Sequence, residues 1–173
     1  MARVISEFDK PESFMAGAIG LPGERTFYLQ VKDGRRSFAV SLEKEQVSLL
    51  AARILEMIAG RTSPQARAGA SALDLPLVEE FRVGVLGLAF NNEEQLVIVE
   101  AQAITESSEI LIEEEEDEDG PDLLRVQLTI DAAFEFATGS QAVVGAGRPP
   151  CPFCGIVLDP SGHVCPRANG YRR

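Results

Sequence analysis

The chain has 173 residues, of which 45% are hydrophobic and 25% charged, with a formal net charge of −11. That size suits one globular unit with a core of its own, and the acidic balance argues against general binding to nucleic acid or to an anionic membrane. No apolar run approaches the ~20 residues of a membrane span, and Met1 to Lys10 lacks the apolar centre of a secretory signal, so a cytoplasmic location is expected.

The first forty residues read as β-rich. Val4 to Phe8 forms a short strand stopped at Asp9-Lys10-Pro11, and Phe14 to Ile19 a second, weakened by Gly17 and Gly20. Leu21-Pro22-Gly23-Glu24 is a turn, and Thr26 to Val31 a strand rich in aromatic and β-branched residues. Asp33-Gly34 then turns the chain back into Ser37 to Leu42. From Glu43 to Ala59 the residues Val47, Leu50, Ala51, Ile54, Leu55 and Ile58 fall on one helical stripe, with Ser41 as N-cap and Gly60 as stop. Arg61 to Pro76 reads as a connection.

Phe81 to Phe90 and Leu96 to Ile104 form a hairpin around Asn91-Asn92-Glu93-Glu94, with Gly84 and Gly87 marking a bulge or a close backbone approach. Glu113 to Asp119 is seven consecutive acids, a self-repelling solvated loop rather than a spaced calcium site. Leu124 to Ile130 is a strand. Asp131 to Val144 is a helix with Phe134, Ala137 and Val144 inward and Gly139 as its weak point. Two hairpin-then-helix halves, Phe27–Gly60 and Phe81–Gly147, share a Ser/Thr-Leu/Ile-acid step at the helix start, which hints at an internal repeat. The expected fold class is α+β: an antiparallel sheet from hairpins, two packed helices and a small C-terminal zinc knuckle. The expected division is residues 1–147 for the α+β unit and 148–173 for the tail.

The tail carries the one chemical signature. All three cysteines and the only histidine of the chain lie there, as Cys151-x-x-Cys154 and His163-x-Cys165. Gly155 permits a positive φ after the second sulfur, so nearby amides can turn toward the thiolates. His163 and Cys165, two apart in an extended segment, face one side, and Asp159-Pro160-Ser161-Gly162 has the turn residues needed to bring the pairs together. Cys151, Cys154, His163 and Cys165 are therefore the expected ligands of a structural Zn2+ ion. The spacing differs from that of a C2H2 finger and is closer to a half zinc ribbon with one His.

A glutaredoxin-like redox motif would need a helix directly after Cys-Pro-Phe-Cys, where Gly155 and Asp159-Pro160 stand instead. A disulfide leaves one cysteine over. Iron remains open as the metal, although this donor set most often holds zinc. Four protein ligands leave no open coordination position for catalysis.

Charge is unevenly distributed. From Arg148 onward there are four arginines and one acid, a formal +3, against −14 for the preceding residues. Arg167, Arg172 and Arg173 are the candidate anion-binding residues, with Asn169 and Tyr171 beside them.

Phe8-Asp9-x-Pro11, Leu21 to Gln30, Leu42 to Val47 and the tail from Arg148 to Arg173 resemble a bacterial family, domain-of-unknown-function family number thirty-ninety, found in actinobacteria and related soil bacteria. The resemblance covers essentially the whole chain, the tail most specifically, and leaves out the acidic run. It implies no assigned activity and a setting in phosphate metabolism. The leading functional expectation is a non-enzymatic, zinc-stabilised binding or adaptor protein, its partner a protein or a phosphate-containing ligand. The alternative is an enzyme acting on a phosphorylated or nucleotide-like small molecule, although no nucleophile or paired-carboxylate motif supports one.

Overall fold

The structure is a computed structural model that describes residues 2–69, 72–106, 119–147, 150–158 and 162–168. Glu113 to Glu118 of the acidic run, the turn residues Asp159 to Ser161, and Arg148, Asn169, Tyr171, Arg172 and Arg173 lie outside the described residues.

In chain order the elements are β1 (Ile5–Asp9), β2 (Ser13–Ile19), β3 (Thr26–Asp33), β4 (Arg36–Leu42), α1 (Lys44–Met57), β5 (Glu79–Asn91), β6 (Leu96–Ala103), β7 (Leu123–Thr129) and α2 (Ile130–Gly145). The strands form one sheet in the order β1-β7-β6-β5-β4-β3-β2. The fold is α+β with two helices, as expected, but the sheet is mixed rather than antiparallel: β4 pairs with β5, and β1 with β7, in parallel. The reason lies in the connections. Short turns join β2 to β3, β3 to β4 and β5 to β6, and residues 104–122 join β6 to β7, which makes β2-β3-β4 and β5-β6-β7 antiparallel meanders, whereas α1 and the long segment after it carry the chain back to the starting end before β5 begins. Each half is thus three strands and a helix.

The sheet is curled. Six spacings of about 4.8 Å would put the edge strands about 29 Å apart in a flat sheet, yet residues 10–12 join β1 to β2 and can span at most about 14 Å. Consistently, the rings of Phe8 in β1 and Phe38 in β4, four places apart in the strand order, approach to 6.3 Å. One face of every strand points into the hollow: Leu29, Val31, Val40, Val97, Val99, Val126 and Leu128 are fully buried there. On the outer face Arg125 of β7 bonds Glu100 of β6 and Glu7 of β1, each at 2.7 Å, tying the short edge strand β1 to the sheet.

Both helices fill the hollow. Val47, Leu50, Ala51 and Ile54 are the buried residues of α1, as its periodicity predicts. Its N-cap is Glu43, in a capping box with Gln46, rather than Ser41. Ser41 is still inside β4, opposite Tyr28, and its hydroxyl donates to Glu79. In α2 the buried residues are Ala133, Phe136, Ala137, Gly139 and Ser140, with Phe134 and Val144 only partly buried. The face is rotated from the expected one because α2 is covered from several sides. Phe136 stacks on Phe14 of β2 at 4.3 Å, and the segment after α1 crosses its other flank.

That segment is a strap. The Ser63 amide and hydroxyl donate to Asp131, and the Gly69 amide donates to Thr138 Oγ1 at 2.8 Å. Gly69 lies against the backbone of Glu135 and beside Gly139, so the mid-helix glycine marks a backbone crossing. The strap then rounds the β2 edge. Leu73 occupies the space over Gly17, and Asp74 exchanges two backbone bonds with the side chain of Gln30 and pairs with Lys32. The outer face of the β2–β3 pair is thereby covered there, and the buried Gln30 amide is satisfied. Gly84 is a bulge between Val83 and Val85, where an added Cβ would lie 2.9 Å from Ile104 Cα.

Candidate metal centre

Beyond α2 the chain makes a small hairpin closed by the antiparallel bridge Pro150–Val157. The Cys151 amide donates to the Ile156 carbonyl at 2.8 Å, and the Gly155 amide to the Cys151 carbonyl at 2.9 Å. Gly155 has φ +75°, as its place after Cys154 predicts, and Gly162 has φ +84° at the start of the returning segment. These left-handed positions turn the chain so that both ligand pairs face one point.

The four side chains predicted as ligands are brought together. One ligand atom from each of Cys151, Cys154, His163 and Cys165 lies within 4.8 Å of the others. The Cys151 and Cys165 sulfurs are 3.8 Å apart, and Cys154 Sγ lies 3.3 Å from His163 Nε2. A tetrahedral ion with metal–sulfur bonds of about 2.3 Å requires sulfurs about 3.8 Å apart. The Cys151–Cys165 separation matches that edge, and the cluster as a whole is compact enough to hold a metal ion.

The surroundings prepare the donors. Backbone amides of Cys154 and Phe153 hold the Cys151 thiol below its ordinary pKa, and bonds from the other two thiols act the same way. At Cys154 the Ile156 amide pulls downward, but burial and the sulfurs of Cys151 and Cys165 outweigh it and raise the pKa. The Ala168 amide donates to Cys165 Sγ at 3.4 Å. Amide donors around thiolates orient them and spread their charge. Cys151 and Cys165 are buried, while Phe153, Ile156, Val157 and Val164 are at least half exposed. The cluster therefore stands where this segment would otherwise need an apolar core.

Of the three candidate anion-binding arginines, Arg167 is described. It donates from Nη1 to the Phe153 carbonyl at 3.2 Å, across the knuckle. A second cationic group was not legible in the sequence. Arg25, Lys44 and Arg82 line a cleft that Val157 of the knuckle also borders. They belong to a turn, the first turn of a helix and a strand, so no spacing rule joins them.

Among the described residues, no helix is long and apolar enough to cross a membrane. Comparison with curated proteins and with solved structures finds no match. Comparison with protein families finds one whose pattern runs from the first strand through the last residue of the Cys/His cluster. The chain belongs to this family, proteins of unknown function DUF3090, which it matches over residues 6–165.

Proposed function

We propose that this is a non-enzymatic binding or adaptor protein whose C-terminal knuckle, residues 148–173, is held by a structural Zn2+ ion. The observation that carries the reading is the closed donor set: three sulfurs and one imidazole nitrogen, all within 4.8 Å of one another. Four protein donors fill a tetrahedral shell and leave no position for a substrate or water. The same four residues are the only cysteines and the only histidine of the chain, so no thiol or imidazole is left over as a nucleophile or base. Mixed sulfur and nitrogen donors in this number suit zinc.

In this reading the knuckle presents Arg167, Arg172 and Arg173 to a phosphate-containing ligand or an acidic protein partner. The bond to Phe153 uses one of the five guanidinium N–H groups of Arg167. Elemental analysis of the purified protein should give one zinc per chain, and Cys154→Ser should lose it. Absence of metal, or retention of it in Cys154→Ser, would overturn the assignment. The triple Arg→Ala protein separates recognition from docking. Lost partner binding with unchanged zinc content and melting temperature supports recognition; lower stability and a protease-sensitive tail refute it.

A further inference from the structure

The cleft between the knuckle and the rest of the molecule has a volume of about 590 Å³ and is bordered by the ends of β3 and β4, the start of α1 and the end of α2. That size is within the range of small-molecule sites, about 300–1,000 Å³. Its wall is unusual for so acidic a chain, because Arg25, Lys44 and Arg82 all reach it.

Their pairing differs. Arg82 forms an ion pair with Glu43 at the rim. Among the described residues neither Arg25 nor Lys44 has a carboxylate partner within ion-pair distance, although Glu45 also borders the cleft. Arg25 is fixed by its other contacts: Nη1 donates to the Val143 carbonyl at 3.0 Å, and the guanidinium lies 4.9 Å from the Phe27 ring centroid. Its Nη2 is left facing Gly147. The helix's own capping box takes up the amides of Glu43 and Gln46, and the full positive charges at the cleft are those of its side chains.

Gly147 locates the point on which the cations converge. A Cβ built there would lie 3.2 Å from Arg25 Nη2 and 3.7 Å from Lys44 Nζ. Gly147 does not have a positive φ, and the other neighbour of that Cβ is the Val144 carbonyl at an ordinary 3.7 Å. Backbone conformation does not demand glycine there; a Cβ would crowd Arg25 Nη2, and glycine leaves that space open beside two cations. An oxyanion oxygen at that point would be in reach of both. Two like charges facing one small volume repel unless an anion lies between them, and a guanidinium held flat beside an ammonium suits a phosphate group.

We propose that this cleft binds the phosphate group of a small phosphorylated molecule, with Arg25 and Lys44 gripping the phosphate at Gly147 and Arg82 flanking it. The site is separate from Arg167, Arg172 and Arg173 and does not depend on the adaptor reading. Calorimetric titration of the full-length, metal-loaded protein with inorganic phosphate and pyrophosphate at low salt tests it. Both should bind, more weakly as salt rises. Lys44→Gln and Gly147→Ala should each weaken binding about tenfold with the melting temperature unchanged, Lys44→Arg should restore it, and Arg167→Gln should leave it intact. No binding by the wild type, or an affinity in Lys44→Gln and Gly147→Ala equal to that of the wild type, would overturn the proposal. Loss in Arg167→Gln alone would move the anion to the tail and also overturn it. Tighter binding of citrate than of phosphate would replace the phosphate assignment with a carboxylate one.

Discussion

Leu29, Val31, Val40, Val47, Ile54, Val97 and Val126 are almost wholly removed from water, and they come from both helices' hollow and from five different elements. In residues 150–158 and 162–168, by contrast, the buried side chains are Cys151 and Cys165, while Phe153 and Val164 are 63% and 79% exposed. The first region can be held by apolar burial at about 25 cal/mol per Å². The second has too little apolar surface for that, and its four donors must be held together by something stronger than packing. The two regions of one chain should therefore respond to different insults.

The largest effect is expected from the core of the curled sheet. Leu29→Ala, in the middle of β3 and fully buried, should lower the unfolding free energy by about 3 kcal/mol, within the usual range for such cavities. Urea denaturation of wild type and variant measures it. A change under about 1 kcal/mol would mean that the hollow collapses around the gap and is less tightly packed than the burial implies. Metal content per folded chain should be unchanged.

Next is the strap. A methyl at Gly69 would run into the Glu135 carbonyl of α2, so Gly69→Ala should cost about 1–3 kcal/mol through displaced backbone. Gly34→Ala is the useful comparison: its φ of +58° strains any side chain, but an added Cβ there meets open space. Gly69 has no positive φ, so the close crossing is the cause to be tested there, and a cost at Gly69 below about 0.5 kcal/mol would mean that the strap shifts to admit the methyl group.

What could be read from the sequence divides along the same line as the forces. The helical stripe of α1, the hairpin of β5 and β6 and the gathering of the three cysteines with His163 depend on residues near each other in the chain, where periodicity, turn chemistry and Cys-x-x-Cys spacing report directly on geometry. The parallel pairings of β4 with β5 and β1 with β7 depend on where α1 and the strap return the chain, and no local pattern records that. Gly139 illustrates the difference. In sequence it is a flaw in a helix; in the structure it lies beside Gly69, seventy residues earlier, at the crossing. The cleft cations were not legible for the same reason, because Arg25, Lys44 and Arg82 become neighbours only through the pairing of β3 with β4 and of β4 with β5. The N-cap of α1 was misplaced by two residues because β4 continues to Leu42, which keeps Ser41 in the ladder.

Removing the proposed zinc should have a smaller effect on the whole molecule and a complete one on the knuckle. Chelation should abolish the Pro150–Val157 hairpin, seen as protease sensitivity after Gly147, while far-UV circular dichroism keeps the signal of the sheet and both helices. Global unfolding on chelation would erase the contrast between the two regions, showing that the core leans on the knuckle, with Val157 in the cleft as the first suspect.

The smallest effect concerns pH and sharpens how the strap is fastened. Asp131, in the first turn of α2, accepts bonds from the Ser63 hydroxyl and the Ser63 amide, and these hold its carboxyl below the ordinary carboxylate range. A pKa lowered in the folded state means that the ionised form is favoured by folding. Its contribution is fully present above the unfolded value of about 3.9 and fades as pH falls through the lower folded value. The stability gap between wild type and Asp131→Asn should therefore be constant from pH 7 to about pH 5 and shrink below about pH 4. Asn cannot match the carboxylate, since its oxygen carries no full charge toward the two Ser63 donors. Urea midpoints measured across that range decide the matter. A gap that stays constant down to pH 3 would mean that the Ser63 bonds act through geometry alone and that the charge on Asp131 does not stabilise the fold.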